Sequence, residues 1–135
     1  MTEFHTKHDR AETSDWPNTE LHLSYISDGE AAEYFDRADS VVLPYTAATP
    51  SAVASVAFHY DTPIVASRVE RLTDVVIDGQ TGILIPPGDP DALADIIRVA
   101  SRGQSQYLAE GVMRYKQAHN WDSLCTTLQQ LVKAK

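Results

Sequence analysis

The feature that most limits what this chain can become is a regular exchange, from Leu21 onward, between short apolar runs and helical patterns. "LHLSYI" is followed by "GEAAEYFDRA", "VVLPY" by a helix through "SAVASVAFHY", and that helix by "PIVAS". Alternation of this kind builds βαβ units. The series continues with "RLTDVVIDG" as a short helix, "TGILIPP" as a strand, and "DPDALADIIRVASRG" as a helix. In that helix Asp89 suits the N-cap, Pro90 the first helical position and Gly103 the closing residue. Helical patterns around "QYLAEGVMRYKQAH" and "WDSLCTTLQQLVKAK" end the chain. Val and Ile dominate "VVLPY" and "PIVAS", as in parallel strands covered by helices on both faces. The predicted fold is therefore α/β, a Rossmann-like doubly wound parallel sheet of about four strands with C-terminal helices.

Composition sets the outer bounds. At 135 residues and 43% hydrophobic, the chain suffices for one modest core, so residues 20–135 read as one domain. Residues 1–19 are polar, carry His5, His8, Asp9, Glu12 and Asp15, and show no apolar period; they read as a flexible tail. His5 and His8 have a spacing that suits a shared metal on one helical face, but no second cluster completes a coordination shell, and no metal is expected. A net charge of −8 disfavours nucleic acid and anionic membranes as partners, because both repel an acidic surface. No run reaches the roughly 20 apolar residues of a membrane helix, and the start lacks the apolar segment of a signal peptide, so a cytoplasmic protein is expected.

Candidate catalytic groups are few. The lone Cys125 shares a helical side with Leu124, Leu128 and Leu131, and is predicted to be a buried structural thiol. His22 alternates within a strand pattern, His59 and Tyr60 end a helix, and His119 precedes Trp121 near a helix start; each reads as structural. Asp89 and Asp91 are explained by the exposed amides and dipole of the helix that they open. No catalytic residue is assigned.

The turn from Tyr45 to Val53 is the place to look for a ligand, because in an open parallel α/β sheet ligands lie outside the carboxyl ends of the strands. Thr49 suits the N-cap and Pro50 the first helical position, which leaves the amides of Ser51, Ala52 and Val53 pointing out of the helix start. The macrodipole adds roughly 0.3–1 kcal/mol per favourable charge and a charge-assisted amide bond about 1.5–3 kcal/mol, so a diphosphate can be held there without basic side chains. Most such helix starts bind only water, and the local chemistry leaves both possibilities open.

The stretch "YTAATPSAV" together with "DTPIVASRVERLTDVVIDGQTGILIPPGDPDALADII" resembles the nucleotide-sugar half of the retaining GT-B glycosyltransferases of the large family 4 (group 1). That family writes a strand ending in L-P-[SY], a helix, a P-V-V-A-T strand, and a run like G-L-x-E-V-V-x-D-G-x-T-G-L-L-V-P-P-G-D-P-x-A-L. Pro63 to Ser67 and Leu72 to Leu93 reproduce the last two, "LSYISDGEAAEYFDRADSVVLPY" resembles the stretch upstream, and "HNWDSLCTTLQQL" the closing helix. The resemblance implies that Ser51, Ala52 and Val53, with Thr49, face the donor diphosphate, and that Tyr25 and Ile26 lie where the backbone meets the nucleobase. It also implies that Asp74 takes the place of the acid before V-V, and that the donor is a nucleotide-diphosphate sugar with no separate cofactor.

The departures from the family pattern gather at the same turn. Ala48 and Val56 occupy its two glutamate positions, and Val56 cannot accept hydrogen bonds from a ribose, a contact worth about 1.5–3 kcal/mol for a charged acceptor. Ala52 stands where a glycine lets phosphate approach, and Pro50 removes one amide donor. The family's first two βα units, with their G-R-x-x-x-K-G turn, and its acceptor domain have no counterpart in this sequence. The expectation is a donor-binding fragment, inactive alone, that works with a separately encoded complementing half. The alternative is a non-catalytic α/β interaction module or a gene remnant. With a family strand order of 3-2-1-4-5-6 and the first two strands missing, "LHLSYI" is expected to move in beside "VVLPY", with some homo-oligomerisation through the exposed edge.

Overall fold

Valine- and isoleucine-rich runs become three short strands in the computed structural model, which describes residues 17–22, 24–47 and 52–134. The chain divides into two units, Met1–Ala31 and Ala32–Lys135. Helix α1 spans Asp28–Arg37 and is followed by β1 (Val41–Leu43), α2 (Ala52–His59), β2 (Ile64–Ser67), α3 (Leu72–Val75) and β3 (Gly82–Ile85). After them come α4 (Pro90–Val99), α5 (Ser105–Ala118) and α6 (Trp121–Lys133).

In the first unit, Ser27 and Glu30 form a capping box at the start of α1. The Ser27 amide and hydroxyl donate to the Glu30 carboxylate at 2.9 and 2.7 Å, and the Glu30 amide donates back to the Ser27 hydroxyl at 3.3 Å. The S-x-x-E signature "SDGE" carries this cap in plain sight. Glu30 is held below its ordinary pKa, first by the Ser27 hydroxyl and then by the Ser27 amide.

The expected fourth strand is a correction. Leu21, His22 and Ser24–Ile26 lie outside any strand, and the sheet has three strands among the described residues. Alternation holds a strand only when a ladder partner and a face to bury are present. Among the described residues of the run, Tyr25 is 87% exposed and Leu21 is exposed too, so neither is buried against a neighbouring strand.

The sheet of the second unit is parallel in the order β1-β2-β3, with Val41 paired to Ile64 and Ile64 to Gly82. All four residues of the central β2 are buried, which accounts for its unbroken apolar character. Leu43, Ala54, Ala57, Phe58, Ile64, Ala66, Leu72, Val76 and Val112 form the core, so α2, α3 and α5 all deliver side chains to it. Each large side chain buried there is worth roughly 1.5–3 kcal/mol.

Two glycines are dictated by close approach. A Cβ on Gly82 would collide with the Ile64 carbonyl oxygen, and one on Gly111 would collide with the Gln80 carbonyl oxygen. Only a residue without a side chain lets β3 pair there and lets α5 press against the turn ahead of β3.

Helix ends follow local rules with one exception. Asp89 caps α4 by accepting from the Ala92 amide at 2.9 Å, with Pro90 at the first helical position. Gly103, the expected terminator, does not close that helix. The chain passes through a π-type turn, Ala100–Gln104, and runs on into α5. Gly103 takes φ +101°, as a terminator does, but the Ser105 hydroxyl donates to the Ala100 carbonyl at 2.8 Å and helps carry the chain across the break.

Cys125 is also a correction: it is exposed, and no residue of α6 is buried. The helical period located an apolar side, but amphipathicity does not say what covers that side.

Candidate functional site at the carboxyl ends of the strands

Because the strands are parallel, Leu43, Ser67 and Ile85 end on one edge of the sheet. A cleft of about 200 Å³ lies at that edge, lined by Pro44, Ser67, Ile85, Pro86, Gly88 and Asp89, among others. Gly88 turns the chain at φ +71°. The Asp89 carboxylate is engaged in capping α4, and Ser67 is buried. The cleft is a place where strands hand over to helices, and Ser67 is a lining residue that the run "PIVAS" marks by position alone.

Helix α2 starts on the same side of its βαβ unit. Ala52 and Val53 are its first two residues, exposed, and a first-turn amide has no carbonyl within the helix to bond. Thr49 and Ser51, with Ala48 and Pro50, lie outside the described residues. Val53 and Val56 share an exposed face of α2, while Ala54, Ala57 and Phe58 turn into the core. No charged residue occurs in 43–47 or 52–58, so the polarity of this edge is backbone polarity. Tyr25 and Ile26 belong to the first unit and are exposed there, and Asp74 is exposed on α3.

The "DGQTG" segment, by contrast, is scaffolding. One Asp78 oxygen accepts the Leu84 amide at 3.0 Å and the other pairs with Arg68 at 2.8 Å, while the Thr81 hydroxyl accepts the Ile77 amide at 2.9 Å. The Leu84 amide, more than Arg68, holds Asp78 below its ordinary pKa against an opposing contribution from burial.

Two of the described histidines, His119 and His59, are held in structural contacts. His119 stacks on Tyr115 with ring centres 4.1 Å apart, and its Nδ1 lies 2.9 Å from the Tyr115 carbonyl. His59 meets Tyr60 edge-on, and its carbonyl accepts from the Lys116 ammonium at 3.0 Å. The sequence patterns did not reveal that Lys116 also pairs with Asp61 at 2.7 Å, since the two are joined only by the packing of α5 near the end of α2. Among the described residues no group of His, Cys, Asp and Glu is placed to hold a metal ion, and no helix is long and apolar enough to cross a membrane.

The second unit is thus an α/β domain with a three-stranded parallel sheet, and a cleft and a helix start lie at the carboxyl ends of its strands. The sequence matches the family of group 1 glycosyl transferases over residues 9–101, and the chain belongs to that family. It is 31% identical over 99 residues to a D-inositol 3-phosphate glycosyltransferase of Xylanimonas cellulosilytica, covering 72% of this chain and 24% of that protein. A protein of the same name from Geodermatophilus obscurus is 34% identical over 97 residues, covering 72% and 21%. Among solved structures, sucrose-phosphate synthase from Thermosynechococcus elongatus aligns with a TM-score of 0.63 and 30% identity over 83% of this chain and 29% of that one. Anabaena HepE in complex with UDP aligns with a TM-score of 0.61 and 20% identity over 78% and 30%, a likeness of fold. The chain thus spans about a quarter of the curated relatives it matches. The expected resemblance to group 1 glycosyltransferases and the α/β fold class are both borne out.

Proposed function

We propose that this chain is the donor-binding side of a retaining group 1 glycosyltransferase and holds the diphosphate of a nucleotide-sugar at the start of α2. The observation that carries the reading is the opening of α2 at Ala52 and Val53, on the carboxyl side of a parallel sheet in a chain of this family. In this reading Thr49 and the amides of Ser51, Ala52 and Val53 face the phosphate oxygens. A retaining transfer needs an acceptor site and a basic pair on the diphosphate, and both are assigned to a complementing half. No residue of this chain is given a catalytic role.

Binding is weak in this reading, because Val56 presents a hydrocarbon where a ribose acceptor belongs. Calorimetric titration with UDP, GDP and ADP tests it: at least one nucleoside diphosphate binds weakly, and Val53→Asp, which places a carboxylate at the helix start, abolishes the heat. Absence of binding to all three, or unaided hydrolysis of esters or glycosides, overturns the reading. The exposed apolar pair Val53 and Val56 favours the second reading, an α/β interaction module without a donor site, and the absence of nucleotide binding would select it.

A further inference from the structure

We propose that the cleft at the carboxyl ends of the strands is a binding site for a small neutral sugar ring, held by the Ser67 hydroxyl and the Asp89 carboxylate. Among the described residues the buried polar side chains are Thr62, Ser67 and Thr81. The Thr62 hydroxyl donates to the Phe35 carbonyl at 3.1 Å, and the Thr81 hydroxyl accepts the Ile77 amide at 2.9 Å. Ser67, only 1% exposed, differs: no described residue hydrogen-bonds its hydroxyl. A buried hydroxyl without a partner is costly, and folded proteins supply one from the protein, from water or from a ligand.

The surroundings of that hydroxyl favour a ligand. Strand side chains alternate between faces, so Ser67 lies on the face of β2 opposite the core residues Ile64 and Ala66. It lines the cleft of about 200 Å³ with Pro44, Ile85, Pro86, Gly88 and Asp89. That volume is below the roughly 300 Å³ at which pockets begin to take drug-sized ligands, so the occupant has the scale of a single ring. The ten-residue helix α4 opens at the rim. Pro90 brings no amide, and the Ala92 and Leu93 amides are taken by Asp89, which leaves the Asp91 amide as the unclaimed donor of the first turn.

Charge selects a neutral occupant. The Asp89 carboxylate repels an anion, and the positive end of the α4 dipole repels a cation. A ligand hydroxyl suits both, because it donates to the carboxylate oxygen that Ala92 does not occupy and accepts from the Ser67 hydroxyl. Pro44 and Pro86, both exposed, offer apolar walls to the C–H face of a ring, and nothing lies within 4 Å of where a Cβ on Gly88 would stand, so the rim is open. Among the described residues the lining takes none from α2, so the proposal does not depend on a diphosphate at Ala52 and Val53.

NMR titration of the isotope-labelled full chain with D-glucose and D-mannose, read at the amides of Ser67, Gly88 and Leu93, tests the site. Saturable shifts with a millimolar dissociation constant are expected for at least one sugar, and none with inorganic phosphate. Ser67→Ala removes one hydrogen bond and weakens sugar binding about 2- to 10-fold, and Asp89→Asn, which keeps a good helix cap, weakens it about tenfold or more. UDP-glucose compared with UDP identifies the source of the ring: shifts at Ser67 with UDP-glucose alone assign it to a nucleotide-sugar, and shifts with the free sugars alone assign it to a separate carbohydrate. No response to either sugar, and none to UDP-glucose beyond that to UDP, overturns the proposal, because Ser67 then holds only water. A response to phosphate, or sugar binding indifferent to both variants, overturns it as well.

Discussion

Arg68 and Asp78 are joined by a 2.8 Å ion pair, yet the pair is the weaker half of what Asp78 does. Its second oxygen accepts the Leu84 amide in β3, a fixed bond, whereas the Arg68 guanidinium reaches across solvent with both side chains about half exposed. Asp78→Ala is expected to destabilise the domain by about 1 kcal/mol, and Arg68→Ala by less than about 0.5 kcal/mol, in urea unfolding. Equal costs would show that the ion pair leads.

The pKa of Asp78 also fixes a pH dependence. Its folded value lies below the ordinary 3.8, mainly because the Leu84 amide bonds the charged form. The stabilisation is therefore complete above that ordinary value and is lost as pH falls through the lower folded value. Asp78→Asn removes this contribution, so the stability difference between the two proteins should shrink below pH 3.8. A difference that stays constant through acid would remove Asp78 from the account.

Asp61 poses a contest between backbone and side chain. It sits at φ +58°, just past α2, where the Thr62 amide donates back to the Ala57 carbonyl at 2.9 Å in the manner of a Schellman cap. The left-handed conformation costs a non-glycine residue roughly 1–2 kcal/mol, and the partly exposed pair with Lys116 returns only about 0.2–1 kcal/mol. Asp61→Gly is thus expected to be neutral or stabilising by up to about 1 kcal/mol, and Asp61→Ala to be destabilising, in the same thermal melt. If Asp61→Gly lost more than Asp61→Ala, the Lys116 contact would outweigh the backbone conformation.

Gly111→Ala is expected to be among the most damaging single changes in the chain. The added Cβ meets the Gln80 backbone oxygen rather than a movable side chain, so α5 must lift away from the turn that leads into β3. Val112 beside it is fully buried and loses contacts in the same movement. A loss of about 3 kcal/mol or more follows, read as a fall in melting temperature. A variant that melts with the parent would disprove the close approach.

What the sequence disclosed and what it withheld divide along a physical line. "VVLPY", "PIVAS" and "TGILIPP" were legible as strands because the buried strands of a parallel sheet are apolar throughout, and Asp89–Pro90 was legible because a cap is a local device. "LHLSYI" misled because a strand exists only with a neighbour, and Cys125 misled because an apolar helix side does not name what covers it. Of the candidate site, the sequence placed a helix in the turn after β1 with Ala52 and Val53 in its first turn, where the described helix opens, and the Ser67 cleft follows from the edge where parallel strands end. The Lys116–Asp61 pair, which joins residues 55 apart, carries no sequence signature.

The sharpest test of the proposed donor site adds a group instead of removing one. Val56 is 39% exposed on the same face of α2 as Val53, one turn in from the helix start, so a longer polar side chain fits there without entering the core. Glutamate also has a better helix propensity than valine, and replacing an exposed valine within a helix is not expected to cost stability. If a ribose lies over that face while its diphosphate rests on the amides of Ser51, Ala52 and Val53, Val56→Glu supplies the missing acceptor. A charged acceptor bonded to a hydroxyl is worth about 1.5–3 kcal/mol, and 1.4 kcal/mol is tenfold in affinity, so UDP or GDP should bind roughly 10- to 100-fold more tightly. The gain must vanish for inorganic diphosphate, which has no ribose, and that comparison separates the specific contact from a general change in charge. An added carboxylate that weakens both ligands alike would place the nucleotide elsewhere.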